Sequence, residues 1–159
     1  MKKIITAILA ISMVAAMSTI AFAAELNQGS DPKTQDSEIT TSIAPTYVVT
    51  IPADAKINFN AGSTVLGTIQ ASHMQIEPDK QVVVAAKAGE LENQIDKEKS
   101  IPYKLTSGDG EFLSIALIDT VKKADLSVAI TADDWNKAYA GNYKGTITFT
   151  ISYADKAVD

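Results

Sequence analysis

The chain has 159 residues, no cysteine, no arginine and one histidine, His73, and its formal net charge is −5. Missing cysteines exclude a disulfide framework, a thiolate zinc site and a thiol nucleophile, and a single histidine excludes a multi-histidine metal site within one chain. An acidic chain without arginine is also a poor match for nucleic acid, so we expect a folded domain with no nucleic-acid partner, no metal and no cofactor.

Residues 1–23 have the pattern of a cleaved secretory signal. Two lysines precede a long apolar run, and Ala21-Phe22-Ala23 matches the small-x-small motif of signal peptidase sites. An uncleaved membrane anchor is the alternative, because the run approaches the length of a span. Cleavage before Ala24 leaves 12 lysines against 19 acidic residues, a net charge of −7. We therefore expect a secreted protein, released or held at the cell surface, with no membrane segment left after cleavage.

Residues 24–38 are predicted to form a flexible leader, because they carry almost no apolar side chain to offset chain entropy. Beyond them, over residues 39–159, apolar and polar residues alternate in short runs separated by turn-forming residues. Period-2 alternation is typical of half-buried strands. The sequence therefore predicts an all-β domain, an antiparallel immunoglobulin-like β-sandwich of about 7–9 strands.

The first alternating stretch is Glu38-Ile39-Thr40-Thr41-Ser42-Ile43. One interpretation is that Ile39, Thr40, Thr41 and Ile43 are donated as a strand to the exposed sheet edge of a neighbouring molecule. The other is that they form the first strand of their own domain, which the pattern favours.

The later strands are predicted by the same alternation, and the clearest is the last, in which only Gly145 interrupts the apolar face. Eleven residues at ~3.3 Å each would make that strand about 36 Å long. Turns are predicted at residues 77–80 and 107–110. The predicted strands cover residues 46–51, 65–69, 74–76, 81–86, 101–105, 112–118, 126–130 and 143–153.

Two stretches have helical features. Glu90–Lys99 is charged, with apolar residues four apart, which indicates one or two helical turns or a loop. Thr131-Ala132-Asp133-Asp134 resembles a capping box, so a short helix that carries Trp135 is expected to start there.

Catalytic and metal-binding candidates are few. His73 lacks a nucleophile elbow or glycine-rich oxyanion loop, so a solvent-facing strand position is favoured over catalysis. Asp133-Asp134 and Asp109-Gly110-Glu111 lack the dense acidic spacing of a calcium loop. The carboxylate pairs Glu90/Glu92 and Asp96/Glu98 offer an acid and a base for a small hydrolase, but such pairs on a charged loop are usually solvated.

Trp135, Tyr139 and Tyr143 form the most conspicuous aromatic group. One interpretation is a platform that stacks on sugar rings, with Asp133 and Asp134 as polar partners, as in carbohydrate-binding modules. The other, which we favour because large aromatic side chains dominate cores, is that Trp135 plugs one end of the sandwich and Tyr143 begins the last strand.

The segment Ala140–Tyr153 (AGNYKGTITFTISY) is similar to the closing strands of spore-coat-U-like proteins, pilin-type subunits and WxL surface domains, and Thr46–Pro52 resembles the opening strand of small exported proteins of Gram-positive bacteria. Thr148-Phe149-Thr150-Ile151 stands where the WxL domains have Trp-x-Leu, and the cysteine pair of many fimbrial subunits is missing. The resemblance implies an immunoglobulin-like surface protein.

The sequence thus predicts a secreted or cell-surface, non-enzymatic protein with a structural, adhesion or fibre-subunit role. Its expected partners are other copies of itself, other surface proteins or glycans. A carbohydrate-binding module built on Trp135 and Tyr139 is the alternative, and a hydrolase is the weakest hypothesis.

Overall fold

The computed structural model describes residues 26, 28–31, 34 and 36–157. The predicted signal peptide, residues 1–23, lies outside the described residues. Within them the chain folds as an antiparallel all-β sandwich with one short helix, as the alternating pattern predicts.

The strands lie in three sheets, and apart from the 13-residue β2 they have two to eight residues. The helix is α1 (Ala132–Lys137). The strands are β1 (Thr46–Thr50), β2 (Ser63–Gln75), β3 (Lys80–Lys87), β4 (Glu90–Asn93), β5 (Ser100–Pro102), β6 (Lys104–Ser107), β7 (Gly110–Glu111), β8 (Ser114–Leu117), β9 (Lys123–Ala129), β10 (Tyr143–Lys144) and β11 (Thr148–Asp155).

The five-stranded sheet has the order β1-β2-β9-β6-β7, and every pairing in it is antiparallel. The other two sheets have the orders β11-β3-β8 and β10-β4-β5. Chain continuity joins these two sheets, since β3 leads into β4 and β10 leads into β11. The strands β1 and β11 are therefore sheet edges.

One apolar core holds the sheets together. Alternate residues of β9 point inward, and residues of β2, β3 and β8 meet them in the same buried cluster. Burying each of these aliphatic side chains contributes about 1.5–3 kcal/mol relative to leaving it exposed. The largest fully buried side chains are Ile69, Ile101, Leu117, Leu126, Val82 and Val84.

The structure corrects the predicted last strand. Residues 143–153 do not form one strand but two, β10 and β11, which belong to different sheets. The chain breaks its ladder at Gly145, where a Cβ atom would lie 2.9 Å from the carbonyl oxygen of Glu90 and 2.9 Å from Cδ2 of Leu91. The close approach of the facing chain explains why a glycine stands on the apolar face.

Other boundaries also differ from the prediction. The runs 65–69 and 74–76 are parts of a single strand, β2, which has a register shift between Val65 and Gly67. The run 101–105 is divided between β5 and β6 in different sheets. Helix within Glu90–Lys99 is wrong, since those residues form β4 and the turn that leads to β5.

The predicted local signals at turns and the helix start are confirmed. The 77–80 turn closes with a bond from the Lys80 N–H to the Glu77 carbonyl oxygen, 3.1 Å. At the start of α1, the Thr131 hydroxyl accepts a bond from the Asp134 N–H, 3.2 Å, as an N-cap does. Among the described residues, no helix has the length and apolar character needed to cross a membrane.

Candidate interaction groove

An open groove runs along the side of the sandwich between the chain that follows β1 and the chain that leads from α1 to the start of β11. Its volume is about 1220 Å³. Beyond Ile51 and Phe149, and outside the groove lining, the rings of Tyr47 and Tyr153 stack, with centroids 6.0 Å apart and an interplanar angle of 23°. Since Tyr47 precedes Ile51 along the chain and Tyr153 follows Phe149, the two chains run in opposite directions past this end. We call this the Tyr153 end.

The opposite end lies beside β10 and α1, and we call it the Lys144 end. Here the groove is lined by Lys144 and by residues of the connection from α1 to β10. The residues after β1, from Ile51 to Ile57, form one wall, and the chain from β10 to Phe149 forms the other.

Apolar side chains that pack on the core without being fully covered line the groove. An extended segment laid in the groove would cover them. These half-buried residues are Ile51, Ile57, Leu66, Leu91, Ile147 and Phe149.

The strand pairing along one wall of the groove is interrupted. The β3–β11 pairing ends at Lys87↔Thr148, and the β4–β10 pairing resumes at Glu92↔Lys144. In the interval the Tyr103 hydroxyl accepts a bond from the Gly89 N–H and donates one to the Thr146 carbonyl oxygen, both 3.2 Å. A side chain therefore satisfies the backbone groups that a regular ladder would pair.

The predicted aromatic group lies at the Lys144 end. Trp135 is half-buried, and its indole N–H donates to the carbonyl oxygen of Ala61, 3.0 Å, while Tyr139 is 63% exposed. Trp135, Tyr139 and Tyr143 all line the groove. Trp135 is therefore part of the groove rim as well as packed on the core.

Phe59 is a fourth aromatic residue of this rim, which the sequence analysis missed. Its ring meets Trp135 edge to face, with centroids 5.5 Å apart, and it is 75% exposed. It lies in the connection between β1 and β2, far from Trp135 in sequence. The sequence signal available for it was an aromatic residue next to Asn60, a residue type that favours turns, and in the structure the φ of Asn60 is 61°.

The acidic residues predicted beside Trp135 do not line the groove. Asp133 is exposed on α1, and Asp134 accepts a bond from the Thr131 hydroxyl, 2.5 Å. Both carboxylates lie in the first turn of the helix, where the helix dipole favours negative charge. Their position is explained by helix capping.

The residues predicted for strand donation are outside any strand. Residues 36–45 have no regular secondary structure, Ile39 is 94% exposed and Ile43 is 66% exposed. The interpretation that residues 39–43 form the domain's own first strand is therefore wrong, and the first strand is β1. Two exposed isoleucines of the same strand parity precede β1 by only a few residues.

Charge differs between the two ends of the groove. The charged residues among those that line it are Asp54, Lys56 and Lys144, a net of +1 on a chain of net −5. The Tyr153 end, outside that lining, instead has Glu77, which accepts a bond from the Tyr153 hydroxyl, and the ion pair of Lys80 with Asp155.

Hydrogen bonds at the Tyr153 end shift the pKa values of its groups. The Tyr153 hydroxyl donates to the Glu77 carboxylate and lowers the pKa of Glu77, while partial burial and this bond raise the pKa of Tyr153. Lys80 binds Asp155, which lowers the pKa of Asp155 and raises that of Lys80. Lys80 is therefore paired with a carboxylate, Lys156 donates to the Pro78 carbonyl oxygen, 2.6 Å, and the pKa values of Glu77 and Asp155 lie below their usual values.

The catalytic candidates lie apart from one another. His73 is exposed on β2, with Nε2 3.0 Å from the Thr46 hydroxyl oxygen. Glu90 accepts a bond from the Ser100 hydroxyl on the β4–β5 pair, and Asp96 accepts one from the Glu98 N–H, 3.0 Å. Within the described part of the chain, no group of three or more histidine or acidic side chains is arranged to hold a metal ion.

Comparison with protein-family models gave no match for this chain, and no curated protein matches its sequence.

Proposed function

We propose that this chain is an exported, non-enzymatic surface protein with an immunoglobulin-like sandwich, which serves a structural, adhesion or fibre-subunit role by binding a partner along the open side of its sandwich. One observation carries the proposal: half-buried core residues line an open groove of about 1220 Å³ that reaches the sheet edge β11 at Phe149. Natural sheets usually cover or charge such edges, so an open apolar one marks an interaction surface.

The composition of the groove supports binding over catalysis. Its middle is lined by aliphatic and aromatic side chains such as Ile147, Phe149 and Leu91. β-strand addition supplies main-chain hydrogen bonds to an edge such as β11 and places alternate side chains on an apolar floor.

Removing the leader tests the self-association form of this proposal. We expect the full chain to associate, and a variant lacking residues 24–44 to be a folded monomer by light scattering and electron microscopy. An unchanged assembly state after the deletion would exclude donation by the leader. A full chain that neither self-associates nor stays at the cell surface would contradict the proposed function itself.

Glycan binding is a second candidate, favoured by the exposed rings of Phe59 and Tyr139 at the Lys144 end. Aromatic faces stack on sugar rings, and lysines beside them suit acidic sugars. A glycan array with the wild type, Tyr139→Ala and Phe59→Ala tests it. We expect the substitutions to remove binding without unfolding the chain, and an array on which the wild type itself binds nothing would end this candidate.

A further inference from the structure

The ends of the groove differ in charge, and this difference selects both its occupant and the direction in which the occupant lies. Resting on the proposed function, we propose that residues 38–43 of a second copy fill the groove parallel to β11, with Glu38 beside Lys144. In this direction two copies exchange their segments reciprocally and close into a two-fold pair.

The apolar pattern of the segment fits the groove in this register. Ile39, Thr41 and Ile43 share one strand parity, and the groove wall offers Gly145, Ile147 and Phe149 with the same spacing. Both sets span four residue steps, about 13 Å in an extended chain. Ile43 then lies beside Phe149 and Thr41 beside Ile147, and Ile39 comes to Gly145, against which the Leu91 side chain already packs.

Charge decides between the two directions. Parallel to β11, Glu38 comes to the Lys144 end, where the exposed amines of Lys56 and Lys144 line the groove. In the opposite direction Glu38 would approach the Tyr153 end, whose carboxylates are ionised and whose Lys80 already binds Asp155. Opposite charges favour the first arrangement, and like charges oppose the second.

The direction also fixes the symmetry. The leader joins its own domain at Thr46, next to the Tyr153 end. A donated segment parallel to β11 has its Ile43 nearest the acceptor's Tyr153 end, so the Tyr153 ends of the two copies meet. Each leader then reaches the other groove, which makes a closed isologous pair, whereas the opposite direction would give an open head-to-tail chain.

The segment of the same molecule is a poorer occupant. It would have to reverse between Ile43 and Thr46, but Ala44 precedes Pro45 and is therefore restricted to extended backbone. The exposure of Ile39 and Ile43 agrees with a segment directed away from its own groove.

Because the chain has no cysteine, two engineered cysteine pairs can report the direction. Glu38→Cys with Lys144→Cys reports the parallel direction, and Glu38→Cys with Thr150→Cys reports the reverse. We expect air oxidation of the full chain to give a reducible dimer with the first pair and none with the second. A dimer or ladder through Thr150→Cys, a cross-link within one monomer, or association with no cross-link from either pair would overturn the proposal while leaving self-association intact.

Charge reversal tests the contact without a cross-link. We expect Glu38→Lys and Lys144→Glu each to weaken pairing about tenfold in sedimentation, and the two together to restore it to within about threefold of the wild type. The matched controls Glu111→Lys and Lys104→Glu, which are exposed outside the groove, should leave pairing unchanged. Single effects that merely add in the double variant would contradict the proposed contact. A chain that is monomeric at every concentration would instead refute the self-association on which this inference rests.

Discussion

Gly145 shows how one residue shapes the groove. An added Cβ would lie 2.9 Å from the Glu90 carbonyl oxygen, a backbone atom that cannot move alone. We therefore expect Gly145→Ala to lower the free energy of unfolding by about 1–3 kcal/mol, as overpacking does, in urea titrations followed by tryptophan fluorescence. Gly62→Ala is the control, since no atom lies within 4 Å of its added Cβ. Equal stability of the two variants would show that the chains are not tightly apposed at Gly145.

The carboxylate of Glu77 links stability to pH. Its lowered pKa, caused first by the Tyr153 hydroxyl, means that its stabilising contribution is present above the unfolded pKa of about 4.3 and is lost as the pH falls through the lower folded value. We expect the melting temperature to drop below about pH 4 and Glu77→Gln to reduce that drop. The comparison is Glu111→Gln, exposed on β7. The same drop in melting temperature below pH 4 in the wild type and in Glu77→Gln would contradict the hydrogen bond between Tyr153 and Glu77.

Single residues were predicted from the sequence where their role is local. The Thr131 cap and the 77–80 turn depend on neighbours within four positions, and both are present. Phe59 was missed because its partner, Trp135, comes from a distant segment. Likewise, Asp133 could be interpreted from the sequence either as a ligand-binding residue or as part of a helix start. Its position in the first turn of α1 explains why an acidic residue stands there.

At the scale of one element, the N-cap of α1 makes a measurable contribution to the stability of the fold. The Thr131 hydroxyl accepts from the Asp134 N–H, so Thr131→Ala should cost about 1 kcal/mol, whereas Thr131→Ser keeps the acceptor and should cost less. Thermal melts of the two variants measure this difference. Because α1 carries Trp135 at the groove rim, the indole fluorescence of Thr131→Ala is also expected to change. Equal melting temperatures of the Ala and Ser variants would show that the hydroxyl does not cap the helix.

The strands could be predicted as elements but not as members of sheets. Alternation over 143–153 reports which residues face inward, and that remains the same when the chain passes from one sheet to the next at Gly145. The same holds at Tyr103, where β5 ends and β6 begins in another sheet. Periodicity does not identify the strand with which a residue pairs. The changes of sheet therefore could not be predicted without the register.

The groove belongs to the whole molecule, and no local pattern predicts it. It forms between the chain after β1 and the chain from α1 to the start of β11, which are far apart in sequence. The sequence suggests that Ile39 and Ile43 form a strand, but it does not show whether that strand pairs within its own domain or with another molecule. The open groove of the folded chain makes this apolar alternation a candidate donor.

The mass of the secreted full chain in sedimentation equilibrium tests the central claim, that a strand from another copy fills the groove. We predict twice the monomer mass, reversible on dilution, and a monomer for Ile43→Asp, because a carboxylate on the apolar floor would be desolvated without a partner. Val65→Asp changes an exposed apolar residue of β2 and should leave the dimer intact. A wild-type monomer at all concentrations, or a dimer that survives Ile43→Asp, would contradict the account.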